Sequence, residues 1–225
     1  MTKDIEKDAD RLIETIAGGG IAVFPVDVGY AIVANREPAI ERIFQVKQRS
    51  YDKPCGMFSN WAMFLDMATV GQREREMVDT VIHRYKLPLS VVVPYKVDHP
   101  HFGGLTPRAR SISSRAGTID MLLNAGTLHD AIAERSFARR LPVLGSSANM
   151  SLTGSKYRLA DVEAPVRAAA SLVLDYGNTK YSHPDGMGST IIELPGGKPL
   201  RKGIVYDEVC DILSKHFAVD PRKLG

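Results

Sequence analysis

The sequence predicts a single α/β domain in which helices flank a mixed sheet. Helical and extended patterns alternate along its 225 residues, and neither internal repeats nor low-complexity linkers interrupt them. In the last third of the chain, extended segments follow one another without helices between them, which favours both parallel and antiparallel strands. The length suits one substantial hydrophobic core, so residues 1–225 are interpreted as one domain.

The first predicted elements are a helix and a strand separated by three glycines. Apolar residues recur at helical spacing before Gly18–Gly20, namely Ile5, Ala9, Leu12, Ile13 and Ile16. The glycines end the helix and lead into a strand over 21–25. The remaining pattern predicts helices around 37–47, 59–69 and 71–85, a strand over 89–94 and a loop over about 96–110. It then predicts helical structure around 118–139, a strand around 143, strands at 171–175, 189–194 and 199–201, and a C-terminal helix over 207–217.

Composition and charge narrow the class of protein. Lys plus Arg exceed Asp plus Glu by 29 − 26 = +3, a balance too mild to indicate nucleic-acid binding by itself. The two cysteines, Cys55 and Cys210, lack the spacing of a disulfide framework or a zinc site, which predicts a reducing, cytoplasmic location. The N-terminus is charged, and no apolar run reaches membrane-spanning length, so no membrane association is expected.

Two short polar segments far apart in the chain indicate the function best. Lys47-Gln48-Arg49 ends a helical pattern, and Ser147-Ala148-Asn149 follows the strand around Val143. An ammonium group and a guanidinium fork bind phosphate oxygens, while a hydroxyl and an amide orient them. By themselves, the two cations could equally stabilise a helix C-terminus, and the serine and asparagine could form an ordinary turn.

With these segments in this order, the chain resembles the YrdC-like family, whose members include threonylcarbamoyl-adenylate synthases. The resemblance covers about residues 16–204. It is carried by Pro25-Val26-Asp27-Val28-Gly29-Tyr30 after an apolar strand, Lys47-Gln48-Arg49 with Lys53-Pro54, Arg115 where the family has an arginine in a short strand, Ser146–Ser151, Gly188–Ile192 and Leu200–Gly203. It implies a twisted mixed sheet around a concave basic cavity.

The resemblance also implies an ATP-dependent reaction. L-Threonine and bicarbonate would form a carbamate that attacks the α-phosphate of ATP, giving threonylcarbamoyl-adenylate and pyrophosphate, and a separate transferase would use the product to modify tRNA. Catalytic roles fall to Lys47 and Arg49. The nucleotide-binding residues would be Lys47, Arg49, Ser147, Asn149, Ser189 and Arg201, with Mg²⁺ carried by ATP. The amino-acid side of the site would contain Val26, Val28, Tyr30 and Arg115.

The chain departs from the family pattern after its first strand. Val26 and Val28 stand where the family has threonines, which predicts poor use of L-threonine or a preference for another amino acid or carboxylate. Two alternatives stay open: an enzyme that makes a different carbamoyl-adenylate, and a non-catalytic protein that binds tRNA or ribosomal RNA in the same cavity. A P-loop is excluded because no GxxxxGK(S/T) segment occurs. His99-Pro100-His101 has two imidazoles, which are expected to lack a supporting carboxylate, so no protein-held metal is expected.

Overall fold

The structure, a computed structural model, describes residues 4–224. Within them, nine strands form one sheet: β1 (Ala22–Val26), β2 (Gly29–Ala34), β3 (Gly56–Phe58), β4 (Leu89–Pro94), β5 (Thr118–Leu123), β6 (Leu144–Ser147), β7 (Leu172–Val173), β8 (Ile191–Glu193) and β9 (Lys198–Arg201). Eight α-helices accompany it: α1 (Ile5–Ala17), α2 (Glu37–Lys47), α3 (Trp61–Met67), α4 (Gln72–Asp79), α5 (Pro107–Ser111), α6 (Thr127–Arg139), α7 (Ala164–Ala168) and α8 (Tyr206–Phe217). A π-helical turn at Thr80–Arg84 continues α4.

The sheet is mixed, with the strand order β7-β1-β2-β6-β3-β5-β4-β8-β9. Its parallel pairs are β1–β7, β3–β5 and β4–β8, and the other neighbours are antiparallel. The predicted fold class, a mixed sheet with flanking helices, is confirmed. Because β3, β5 and β4 lie side by side although the chain visits them out of order, segments distant in sequence meet near the centre of the sheet.

The N-terminal helix follows the predicted periodicity. Leu12, Ile13 and Ile16 of α1 are fully buried, in one apolar cluster with Ile132 of α6. On the outer side of this helix pair, the Arg135 guanidinium donates to carboxylates of α1. One apolar stripe and one charged face therefore place α1 against α6, as expected for an amphipathic surface helix.

Several predicted elements require correction. Residues 118–139 are not helical throughout, because 118–123 form β5 and only 127–139 form α6. The segment 96–110 was expected to be a loop, but it contains a 3₁₀ turn at Pro100–Phe102 and the start of α5. Arg115 is not in a strand: it lies in the turn that precedes β5, where Ala116 and Gly117 have left-handed φ angles of 50° and 77°. The short β3 was not predicted, nor was β2 as a separate strand.

Candidate functional site

A cavity of about 500 Å³ lies against one face of the sheet. Thr118, Asp120 and Leu122 of β5 line it, while the residues between them are buried in the core, because successive strand residues point to opposite faces. The ionisable side chains that line it are four cations and two carboxylates, Arg49, Lys53, Arg115, Arg201, Asp120 and Glu193. The difference, 4 − 2 = +2, favours an anionic ligand.

The end of α2 directs Lys47 and Arg49 to different places. Lys47 is the last residue of the helix and is buried, with 1% of its surface exposed. Gln48 then takes a left-handed φ of 50°, which ends the helix, and its N–H group bonds to the last turn. The chain turns at this point, and Arg49 becomes part of the cavity wall.

Lys47 joins the two polar segments that the sequence singled out. Its Nζ atom donates to the backbone oxygens of Ser147 and Asn149, each at 2.5 Å. Burial, with the nearby Arg49 charge, lowers the pKa of Lys47 to about 7. Lys47 and Asn149 are not among the residues that line the cavity, whereas Ser147 is. Lys47 therefore holds the end of β6 from behind the cavity wall.

Two arginines from opposite ends of the chain share the cavity. Arg49 donates from Nε to the Lys53 oxygen at 2.8 Å and from Nη2 to the Pro54 oxygen at 2.7 Å. Arg201 donates from Nε to the Ser189 oxygen and from Nη2 to Ser189 Oγ, both at 2.8 Å. Backbone and hydroxyl acceptors thus fix both guanidinium groups, and their remaining N–H groups have no acceptor within residues 4–224.

The two guanidinium groups also influence each other. Burial lowers the pKa of Arg201, the Asp120 carboxylate acts against this, and the positive charge of Arg49 lowers it further. Burial lowers the pKa of Arg49 as well. Two partly desolvated cations in one cavity repel each other, and an anion between them would relieve that repulsion.

Asp120 is a cavity residue that the sequence analysis missed. Burial raises the pKa of its carboxyl group, while Arg201, the Ser90 hydroxyl and Arg49 act in the opposite direction. The Ser90 hydroxyl also lies 3.0 Å from Ser189 Oγ. A single Asp at an alternate position of an apolar segment was the only signal in the sequence, and it was hidden because 118–139 was interpreted as helical.

The four residues expected on the amino-acid side of the site all line the cavity, namely Val26, Val28, Tyr30 and Arg115. The hydroxyl of Tyr30 is 2.7 Å from Asp175 Oδ1 and 3.0 Å from the Gly177 oxygen. Burial and the Asp175 carboxylate raise its pKa well above the usual value, so this hydroxyl stays protonated. Arg115 is exposed and donates from Nη1 to the Asp52 oxygen at 3.2 Å.

Two other features lie outside this arrangement. Cys55 is fully buried, and burial raises its pKa to about 11, as expected for a small hydrophobic residue.

The expectation that the histidines lack a carboxylate neighbour was wrong for His99, whose Nε2 atom is 2.9 Å from Asp66 Oδ2. Residues 4–224 contain no group of three or more His, Cys, Asp and Glu side chains placed to hold a metal ion. Nor do they contain a helix with the length and apolar character needed to cross a bilayer.

An α/β domain whose mixed sheet carries a cavity of this size, lined by three arginines, has the architecture of a small-molecule-binding protein. The chain belongs to the Sua5/YciO/YrdC family: the model of this family, described as "Telomere recombination", matches residues 14–203. A relative from Methanocaldococcus jannaschii, named "Putative threonylcarbamoyl-AMP synthase", is 23% identical over 208 residues, covering 89% of this chain and 87% of that protein.

Solved structures show the same fold. Sua5 of P. abyssi, complexed with L-threonine, has a TM-score of 0.69 at 24% identity, over 88% of this chain and 54% of that one. A hypothetical protein from Streptococcus mutans has a TM-score of 0.71 at 19% identity, over 92% and 91% of the two chains. YciO of E. coli has a TM-score of 0.63 at 17% identity, over 88% and 90%. The chain thus spans about half the length of P. abyssi Sua5 and most of the other two.

Proposed function

We propose that the protein forms a carbamoyl-adenylate from ATP, bicarbonate and an amino acid, with L-threonine as the first candidate. The observation that carries the proposal is the meeting of Arg49 and Arg201 in one cavity, each held by protein acceptors and each with N–H groups to spare. Family membership and the relative named as a threonylcarbamoyl-AMP synthase support it.

In this reaction the carbamate oxygen of the substrate attacks the α-phosphate of ATP, and pyrophosphate leaves. The nucleophile comes from the substrate, so the protein has to position the reactants and neutralise charge. Arg49 and Arg201 would bind phosphate oxygens, and the hydroxyls of Ser147 and Ser189 would orient them. Lys47 would act by holding Ser147 and Asn149 in place from behind the wall.

The Mg²⁺ that accompanies ATP would be bound by its phosphates, since residues 4–224 provide no cluster of metal ligands. It would supply charge neutralisation on the leaving pyrophosphate. Release of the adenylate to a tRNA-modifying transferase in the cytoplasm completes the proposal, in line with the family resemblance.

A specific observation favours a second candidate, the same chemistry on a different amino acid. Val26 and Val28 line the cavity with methyl groups, and both are largely buried. A hydroxyl-bearing substrate gains no hydrogen bond from them, so an amino acid with an apolar side chain is an equally good fit at this wall.

The proposal is tested by incubating the protein with ATP, Mg²⁺, bicarbonate and each amino acid in turn, and measuring pyrophosphate. We expect release that requires both bicarbonate and one amino acid. Omission of bicarbonate is the control for simple ATP hydrolysis. No release above that control with any amino acid would refute the proposal, and RNA binding in a gel-shift assay would then favour the non-catalytic alternative.

A further inference from the structure

One oxygen of the Asp120 carboxylate has no hydrogen-bond partner within residues 4–224, although it is buried. Asp120 belongs to β5, which has three strands on one side of the sheet and five on the other. Its Oδ1 atom is buried and accepts no hydrogen bond. Within residues 4–224 the carboxylate forms no salt bridge: the charges of Arg201 and Arg49 lower its pKa, but both guanidinium groups donate their hydrogen bonds to other acceptors. A desolvated carboxylate without a donor is costly, so its presence in a cavity points to a donor on the ligand.

The neighbouring strand leaves room for this carboxylate. A Cβ atom added at Gly56 of β3 would lie 3.1 Å from Asp120 Oδ2. The absence of a side chain at Gly56 therefore lets the carboxylate lie over bare backbone. The backbone gives it space but no hydrogen bond, because the neighbouring strands β3 and β5 pair through their own backbone groups.

The cavity thus carries two kinds of binding group side by side. Arg49 and Arg201 offer spare N–H groups for an anion, while Asp120 offers a carboxylate for a cation. Ser90 contributes a neutral hydroxyl next to Asp120, yet Oδ1 remains without a partner. A ligand with only negative charge would be repelled by Asp120, whereas a ligand that carries an ammonium group next to an anionic group satisfies all of these residues.

We propose that Asp120 binds the ammonium group of the amine substrate, so that the cavity selects amino acids as zwitterions. This inference rests on the proposed function and assigns one residue to recognition of its second substrate. An ammonium group suits this place better than a neutral amide or hydroxyl, because it returns both a hydrogen bond and an opposite charge to the carboxylate.

The first test uses the unmodified protein and needs no variant. L-Threonine, L-serine and glycine are titrated calorimetrically in the presence of AMP, together with 3-hydroxybutanoate and 3-hydroxypropanoate, which are threonine and serine without the amino group. We expect at least one amino acid to bind, and its desamino analogue to bind at least tenfold more weakly. Equal affinities within each pair, or no binding of any amino acid, would overturn the inference.

The second test is the nearly isosteric Asp120→Asn substitution, with Asp98→Asn as a charge-matched control on an exposed loop. We expect Asp120→Asn to weaken amino-acid binding at least tenfold, to leave ATP binding as tight or tighter, and to leave the desamino analogues unaffected. Asp98→Asn should change none of these. A similar loss for the amino acid and its analogue would overturn a role in ammonium recognition.

Thermal unfolding separates binding from a structural role. Asp120→Asn removes a buried charge whose Oδ1 atom has no hydrogen-bond partner, but it also removes the attraction of that charge to Arg201 and Arg49. The melting temperature should therefore change little while amino-acid binding falls; a residue retained for stability would lower the melting temperature strongly. Failure of the proposed function is distinguishable, because it would appear as absent ATP binding or absent pyrophosphate release in the unmodified protein. Failure of the present inference would leave ATP binding and pyrophosphate release intact, and would show only that Asp120 does not bind the amino group.

Discussion

Replacing Arg49 with alanine separates a binding role from a structural one. The guanidinium donates to the Lys53 and Pro54 oxygens and has further N–H groups facing the cavity. One lost hydrogen bond to a charged phosphate corresponds to about 1.5–3 kcal/mol. At about 1.4 kcal/mol per factor of ten, the dissociation constant for ATP should rise about 10- to 140-fold.

The same substitution should affect stability much less. The bond from Arg49 to the Lys53 oxygen is exposed, so water replaces it, and only the part-buried Pro54 oxygen is left short of a donor. We expect a loss of about 1 kcal/mol, which is about 2–4 °C in melting temperature for a chain of this size.

The assay is calorimetric titration with ATP, together with a melting curve for each variant. Arg49→Lys keeps the charge but cannot serve two backbone oxygens and a phosphate at once, so its affinity should lie between those of the other two proteins. Arg167→Ala, on the exposed face of α7, is the control for loss of one positive charge. Unchanged ATP affinity with a collapsed melting temperature would show that Arg49 is structural, and the reasoning would be refuted.

Three further outcomes are expected. The double substitution Val26→Thr and Val28→Thr should raise threonine-dependent pyrophosphate release up to about tenfold per new hydrogen bond; threonine turnover in the unmodified protein as fast as in a relative with both threonines would contradict this. For Lys47, burial lowers the pKa from 10.5 to about 7. Between these pH values the unfolded chain binds more protons than the folded chain, so the free energy of unfolding should rise with pH. Urea unfolding at pH 7, 8 and 9 should show this rise relative to Lys47→Met, and the same dependence on pH in both proteins would disprove it. Gly145→Ala would place a Cβ atom 2.1 Å from a carbonyl oxygen of β2 and should cost at least about 1–3 kcal/mol, whereas Gly104→Ala has no atom within 4 Å and should leave the melting temperature unchanged.

The sequence predicted correctly the helices that have one apolar stripe and a clear end. The apolar stripe of α1 ends at three glycines, and α2 ends at the left-handed Gln48, so both helices lie where periodicity and capping place them. The strand β5 was missed because Leu122 faces the cavity and is as apolar as the core residues on either side. Apolar residues on both faces remove the alternation that distinguishes a strand, and the segment then resembles the start of α6.

The part of the candidate site that lies in short polar segments could be predicted from the sequence. The family resemblance pointed to Arg49, Ser147 and Arg201, and the structure places all three at one cavity. The resemblance could not show that Lys47 is buried while Arg49 lines the cavity, because the path of the chain between them depends on the left-handed Gln48. Nor could it find Asp120, whose neighbouring residues come from strands that become adjacent only through the order of the sheet.

The residues that line the cavity are distributed along the chain from residue 26 to residue 201. A ligand in the cavity would contact segments from most of the length of the chain, so its binding is expected to stabilise the folded state. A ligand present at a hundred times its dissociation constant adds about 2.7 kcal/mol to the free energy of unfolding, or about 5–11 °C in melting temperature. A panel of nucleotides and amino acids can thus be screened by melting temperature alone. A compound that raises the melting temperature is identified as a ligand before any enzymatic activity has been measured.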